Sequence, residues 1–327
     1  MWKALEKKRL KTLHPSLPST DPALTLPVNP VVRNGIPLVW VIVVGLIVAS
    51  SAAILIRITQ SYQVPSNVIV AFRLGLACVL LTPWISGAQW QQLRSLHGRE
   101  VRLATLNSVV LAIHFLMFVT AFESTPVIEA MIFSSLTPFF AAILATVVLK
   151  ETVNRSVWLG IVLAFCGTLI IAQTRANPSL TVYPNHWFGN SLAMLSSISL
   201  AINFTLARHL RHKLQVLPYS WLVFGLASVW VGLYVLLTGG TFLGYPRPAY
   251  GWLFLIAVLP QIVGHGAWNY ALGKVSPTFI SLLMMLIPLG STVLAWFIFG
   301  ERPLLLTAVG GLVVMSGVAV ANLARRA

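Results

Sequence analysis

Thr137–Thr152 reads TPFFAAILATVVLKET, and Ile287–Arg302 reads IPLGSTVLAWFIFGER. In the first stretch Pro138 precedes Glu151 by 13 residues; in the second Pro288 precedes Glu301 by the same 13. The two pairs lie 150 residues apart, and that offset also carries Gly160 to Gly310 and Gly167 to Gly317. A proline, a helix-end glutamate and two glycines recurring at one offset mark an internal duplication. Both stretches sit in apolar surroundings long enough to cross a bilayer. If each copy crosses an odd number of times, the second copy is turned upside down, which is the inverted-topology plan of many secondary transporters.

Working outward, apolar runs of about 20 residues, the length a helix needs to cross hydrocarbon, fall at 36–58, 66–86, 103–122, 126–149, 156–174, 187–207, 217–238, 250–273, 277–299 and 303–323. The expectation is an all-α integral membrane protein of ten transmembrane helices, arranged as two inverted five-helix repeats. The first repeat is expected at 36–175 and the second at 186–323. Residues 1–35 read as a basic, proline-broken, flexible cytoplasmic tail without the apolar core of a signal peptide. The composition agrees: 57% of the 327 residues are hydrophobic and only 9% charged, against roughly a quarter charged in soluble domains.

The net charge of +15 raises nucleic-acid binding, but the lysines and arginines cluster between the spans instead of lining one face. With an amino terminus inside, seventeen of them fall in cytoplasmic segments and four (Arg57, Arg175, Arg247, Arg302) outside, with Arg73 within a span. The positive-inside rule therefore puts both termini in the cytoplasm of a cell whose inner membrane holds the chain, and no nucleic acid is needed to explain the charge. Cys78 and Cys166 lie apart in apolar runs, which suits packing and leaves no disulfide or zinc pattern.

Three stretches resemble a known family. Ser134–Ile171, SSLTPFFAAILATVVLKETVNRSVWLGIVLAFCGTLII, and Pro277–Val320, PTFISLLMMLIPLGSTVLAWFIFGERPLLLTAVGGLVVMSGVAV, look like the paired EamA repeats of the drug/metabolite transporter superfamily. Ile69–Leu81, IVAFRLGLACVLL, resembles the arginine-containing second helix of the first repeat. The resemblance covers about 38–323 and implies ten helices around a central cavity lined chiefly by helices 1, 3, 4, 6, 8 and 9. Members include exporters of amino acids, aromatic ones among them, and carriers of other metabolites. The proline-rich tail and Glu129, where the pattern has small or apolar residues, are departures.

Several polar residues lie inside spans, where charge costs several kcal/mol unless paired or hydrated. Arg73, about seven positions into span 2, either snorkels and caps carbonyls or faces a cavity and holds an anion or a partner carboxylate. Glu129, one turn into span 4, suits a helix amino terminus; its depth also allows a gating pair with Arg73, with Arg57 and Glu123 in the same layer. Glu151 and Glu301 read as caps of the helices that follow them. Aligning the helix-opening Pro126 and Pro277 carries His114 onto His265, one in span 3 and one in span 8. Each histidine could bond a neighbouring helix or serve as one of a substrate-contacting, proton-titrating pair. Next to His265, Trp268, Asn269 and Tyr270 offer rings and hydrogen bonds for an amphiphilic solute, with Asn203 and Ser134 beside Ser135 as further polar contacts. Met284 and Met285 read as packing. Gly160, Gly167, Gly310 and Gly317, spaced by seven, read as a close helix contact.

The leading expectation is a secondary transporter, in the sense of export, of a small organic metabolite such as an amino acid or amphiphilic compound, working by alternating access. The rivals are an intramembrane enzyme and a channel-like pore. No HExxH, GxSxG or metal-holding acidic cluster is present, no filter-like loop, and no Walker A sequence for ATP, so no cofactor or metal is expected. The expected partners are the small-molecule substrate and the lipid bilayer, with proton coupling open through the histidines and the oligomeric state unspecified.

Overall fold

The computed structural model describes residues 37–125, 127–150, 152–173, 185–299 and 305–323. The expected tail at 1–35 and the expected caps Glu151 and Glu301 lie outside them. Among the described residues every regular element is helical. Seven helical segments are long and apolar enough to cross a membrane: Leu38–Ser61, Ser66–Trp84, Gly98–Ser124, Ala130–Val147, Trp187–Arg211, Val216–Leu237 and Arg247–Leu272. Three shorter apolar helices, Arg155–Ile170, Pro277–Ser291 and Ala308–Ala321, fall where the remaining spans were expected. Large apolar side chains stand exposed along them, among them Trp40, Val147, Leu237, Phe297 and Leu305. A water-soluble monomer rarely exposes patches of that kind; lipid is their natural solvent.

The first span consists of two helices, α1 (Leu38–Ser50) and α2 (Ala52–Ser61), followed by α3 (Ser66–Leu81). A short α4 (Gly87–Arg94), opened by a Ser86–Gln89 capping box, occupies the expected second loop. The third span, α5 (Gly98–Ser124), starts earlier than expected and takes Arg99, Glu100 and Arg102 into its first turns. The fourth span is broken into α6 (Val127–Ser134) and α7 (Thr137–Val147). Then come α8 (Arg155–Gln173), α9 (His186–Arg211) and α10 (Val216–Leu237). The eighth span runs as α11 (Arg247–Ile256), a π-helical segment (Ala257–His265) and α12 (Gly266–Leu272). The ninth is broken into α13 (Pro277–Met284) and α14 (Ile287–Phe299), and α15 (Leu305–Leu323) follows.

The two breaks answer to the prolines in the opening stretch. Proline lacks the N–H that would bond the carbonyl four residues back. At the first break Ser135 and Leu136 donate to Ile132 and Phe133 at 3.1 and 3.2 Å; at the second, Met285 and Leu286 donate to Leu282 and Leu283 at 3.1 and 3.0 Å. The same tight turn thus recurs at the same offset of 150 residues. Thr137 Oγ1 donates to the Ser134 carbonyl at 2.7 Å, the carbonyl Pro138 would otherwise leave free.

The glycine expectation is met by α8 and α15. A Cβ placed on Gly160 would stand 2.5 Å from the Gly317 carbonyl oxygen, and one on Gly167 would stand 2.7 Å from that of Gly310. The backbones touch, and the pairing order shows that the two helices run antiparallel. Likewise α5 and α9 run antiparallel, with Thr125 bonded to Asn190 and, two helical stretches away, Asn107 bonded to Asn203.

Candidate functional site

Arg73 is eighth of the sixteen residues of α3 and only 3% exposed. Its Nε donates to Gln261 Oε1 at 2.5 Å, and its guanidinium carbon lies 3.9 Å from the centre of the Phe115 ring, a cation–π contact. Phe115 is the hub of the site, because its ring centre also lies 4.9 Å from His114 and 5.3 Å from His265. His114 Nδ1 lies 2.9 Å from the Ser196 carbonyl. A carbonyl only accepts, so Nδ1 carries a proton and donates it to that carbonyl. Phe204 and Phe224 flank His265 at 6.2 and 6.0 Å.

Arg73, His114, Phe115, Ser196 and His265 border a cavity of about 890 Å³ of empty space, its mouth included; Gln261, Phe204 and Phe224 are not part of its lining. Arg73, His114, His265, Trp268 and Ser134, separately singled out in the sequence, all belong to its wall. The rest of the wall is apolar and aromatic side chains, Phe118 and Met284 among them, interleaved with serine and threonine hydroxyls, and both helix breaks open onto it through Ser135 and Thr137 and through Met285 and Ile287.

Asn203, Asn269 and Tyr270 stand apart from that wall. Asn203 lies two turns along α9 from Ser196, where its Nδ2 donates to Asn107 Oδ1 at 2.7 Å, and Asn107 Nδ2 donates to Tyr219 Oη at 2.7 Å. Asn269 Nδ2 donates to Ser220 Oγ at 3.0 Å, and Arg211 Nε donates to the Asn269 carbonyl at 2.9 Å. Arg208 donates to the carbonyls of Leu272 and Val275 at 3.0 Å each. Together these make a buried polar layer at the Arg211 end of the bundle, beyond the cavity. Tyr270 lies at its edge, accepting from Lys274 Nζ at 2.7 Å.

The expected Arg73–Glu129 pair reaches outside the described residues, since the side chain of Glu129 is not among them. What the structure places on Arg73 is Gln261 and Phe115. Glu123, at the end of α5, lies against the first residue of α3, where it accepts from the backbone N–H of Ser66 at 3.0 Å and from the Ser66 hydroxyl. Arg57 Nη1 donates to the Phe122 carbonyl there at 2.9 Å.

The model of the EamA-like transporter family matches the chain twice, at 36–173 and 187–323. The chain belongs to the EamA-like transporter family. Its curated relatives agree on the class: an "Uncharacterized transporter" of Archaeoglobus fulgidus is 23% identical over 284 residues, covering 84% of this chain and 93% of its own length. "Uncharacterized transporter YyaM" of Bacillus subtilis is 22% identical over 291 residues, covering 87% and 93%. A solved crystal structure superposes with a TM-score of 0.73 at 14% identity, covering 88% of this chain and 97% of the other, a likeness of fold. The protein is thus a multi-pass membrane transporter acting on a small molecule.

Gln261 is the site residue that the sequence reading of this EamA-like chain passed over. Its signal was there: an amide directly after Pro260 and four residues before His265, inside an apolar span. Phe115 carried no signal beyond standing next to His114.

Proposed function

We propose that this chain is a ten-span inner-membrane carrier, with the repeats 36–175 and 186–323 inverted and both termini cytoplasmic, that exports a small amino acid or amphiphilic metabolite by alternating access. The observation that carries the reading is the cavity onto which the two broken spans open. Transporters of inverted design gather their solute sites where discontinuous helices meet, and here α6/α7 and α13/α14 break at positions related by the internal offset. The antiparallel α8–α15 contact and the two family matches support the inversion, and the charge bias supports the orientation. His114 and His265, joined through Phe115, give proton coupling a place to act. A channel-like pore would need a path through the Asn107–Asn203–Tyr219 layer, whose interhelical hydrogen bonds hold α5, α9 and α10 together; a cavity backed by such a layer at one end suits a carrier.

The test is a resistance screen in cells overexpressing the chain, over inhibitory amino acids and amphiphiles. The expected result is raised tolerance to one class, lower intracellular accumulation of it, and loss of both with Trp268→Ala. Raised accumulation of the compound would overturn export; wild-type tolerance in Trp268→Ala would overturn the cavity as the route.

A further inference from the structure

Three polar side-chain atoms of this site are buried with no hydrogen-bond partner among the described residues: Arg73 Nη1, Gln261 Nε2 and Ser134 Oγ. The first two are linked. A guanidinium carries donors only, so Gln261 must turn its oxygen toward Arg73, and its amide NH2 is left over. Two unsatisfied N–H groups therefore flank one contact, Arg73 Nε to Gln261 Oε1. Leaving buried donors unmet costs free energy, and leaving a charged one unmet inside a membrane costs more. A fold that keeps both has a use for an acceptor of opposite charge.

The rest of the wall says which acceptor. None of the described residues bordering the cavity is an aspartate or glutamate. Four of the hydroxyls around it have their protons committed to backbone carbonyls: Ser135 to Met131 at 2.7 Å, Ser196 to Ala193 at 2.9 Å, Ser197 to Met194 at 2.7 Å and Ser291 to Ser50 at 2.8 Å. They can offer lone pairs to a donor but no proton to an anion. Among the described lining residues Arg73 is the one with a fixed positive charge, and Ser134 Oγ is an uncommitted hydroxyl of the same wall. The Arg73 guanidinium suits the two oxygens of a carboxylate, and Trp268, Phe118 and Met284 suit an apolar body.

Resting on the carrier reading above, we propose that Arg73 is the residue that binds a carboxylate of the transported solute, with Gln261 as its positioning residue, so that the cavity selects small organic carboxylates over amines and alcohols of the same skeleton. Phe115 holds the guanidinium in place through its ring face.

The test uses the full chain in nanodiscs, with butanoate, octanoate and 3-phenylpropanoate and the amine and alcohol of each skeleton, read by calorimetric titration and by the shift in unfolding temperature. Wild type binds at least one carboxylate about tenfold or more tighter than its amine and alcohol, from the worth of a hydrogen bond to a charged group. Arg73→Met loses that preference and keeps or raises the unfolding temperature, because removing an unmet buried charge relieves its desolvation. Gln261→Glu places a carboxylate on Arg73 within the wall, so it raises the unfolding temperature and abolishes carboxylate binding; a purely structural pair would leave binding as in wild type. Amines bound as tightly as carboxylates, no carboxylate bound by wild type, or carboxylate preference surviving in folded Arg73→Met each overturn the proposal. Cells that gain tolerance to amines while the purified chain binds amines would leave the carrier reading standing and remove the carboxylate assignment alone.

Discussion

The cavity wall and the polar layer next to it are both built from buried polar side chains on the same helices, and they differ in what is left over. In the layer, Asn107, Asn203 and Tyr219 hand one hydrogen bond to the next across α5, α9 and α10, and the atoms left without a partner are the acceptors Asn203 Oδ1 and Asn269 Oδ1. At the wall, the leftover atoms include a donor of Arg73 and one of Gln261, which bonds Arg73 without lining the cavity. The layer closes on itself through helix-to-helix bonds, as a seal does. The wall sets the charge of Arg73, with a buried donor still unmet, at the edge of a cavity, as a binding site does. The same contrast predicts that the layer is expensive to cut and cheap to spare from the chemistry, while the wall is the reverse.

The largest effect on stability is expected in the layer. Asn107→Leu strands both Asn203 Nδ2 and Tyr219 Oη, and at about 0.6–1.7 kcal/mol for each lost interhelical bond the loss comes to about 1–3 kcal/mol. Thermal unfolding in detergent measures it, and an unchanged midpoint would mean that the layer is no seal. Tyr219→Phe removes one bond only and is expected to cost about 1 kcal/mol. Because the two residues share that bond, Asn107→Leu combined with Tyr219→Phe should cost less than the sum of the singles; strict additivity would deny the contact. In the wall, Ser134→Ala deletes a hydroxyl that bonds nothing among the described residues. It is expected to move the midpoint by less than about 0.5 kcal/mol while altering solute tolerance in the overexpression screen. A midpoint drop as large as that of Asn107→Leu would erase the contrast.

Much of this was legible before any coordinates. Proline and glycine spacing announced the duplication, and the small residues told where backbones meet, since only glycine allows the approach seen at Gly160 and Gly317. The histidine pair emerged from aligning the copies. What the sequence hid was depth and helical phase. Asn203 shares its face of α9 with Ser196 but lies two turns further along, beyond the cavity. Asn269 was read with Trp268 as one cluster, yet neighbours in an α-helix of 3.6 residues per turn point about 100° apart, so Trp268 lines the cavity while Asn269 turns to Ser220. The partner of Arg73 was hidden for a similar reason. A charge near an acid of matching depth invites an ion pair, whereas Gln261, 188 residues away in sequence, announces itself only through packing.

Orientation sharpens the contrast by giving its two regions sides of the membrane. Seventeen basic residues against four predict that reporters fused after Ala327 and within Leu93–Glu100 are cytoplasmic, which puts the polar layer on the cytoplasmic side of the cavity. An active periplasmic phosphatase at either position would reverse that assignment.

The central claim, that the wall is open to solute and the layer is closed, is tested most directly by thiol labelling. In a background lacking Cys78 and Cys166, cysteines are placed one at a time at wall positions 134, 265 and 268 and at layer positions 107, 203 and 269, with exposed Thr241→Cys as the control. A small hydrophilic thiol reagent should label the wall set and the control, spare the layer set, and label the wall more slowly when a transported solute is present. Labelling of the layer at the rate of the wall, or a silent wall beside a reactive control, would contradict the account.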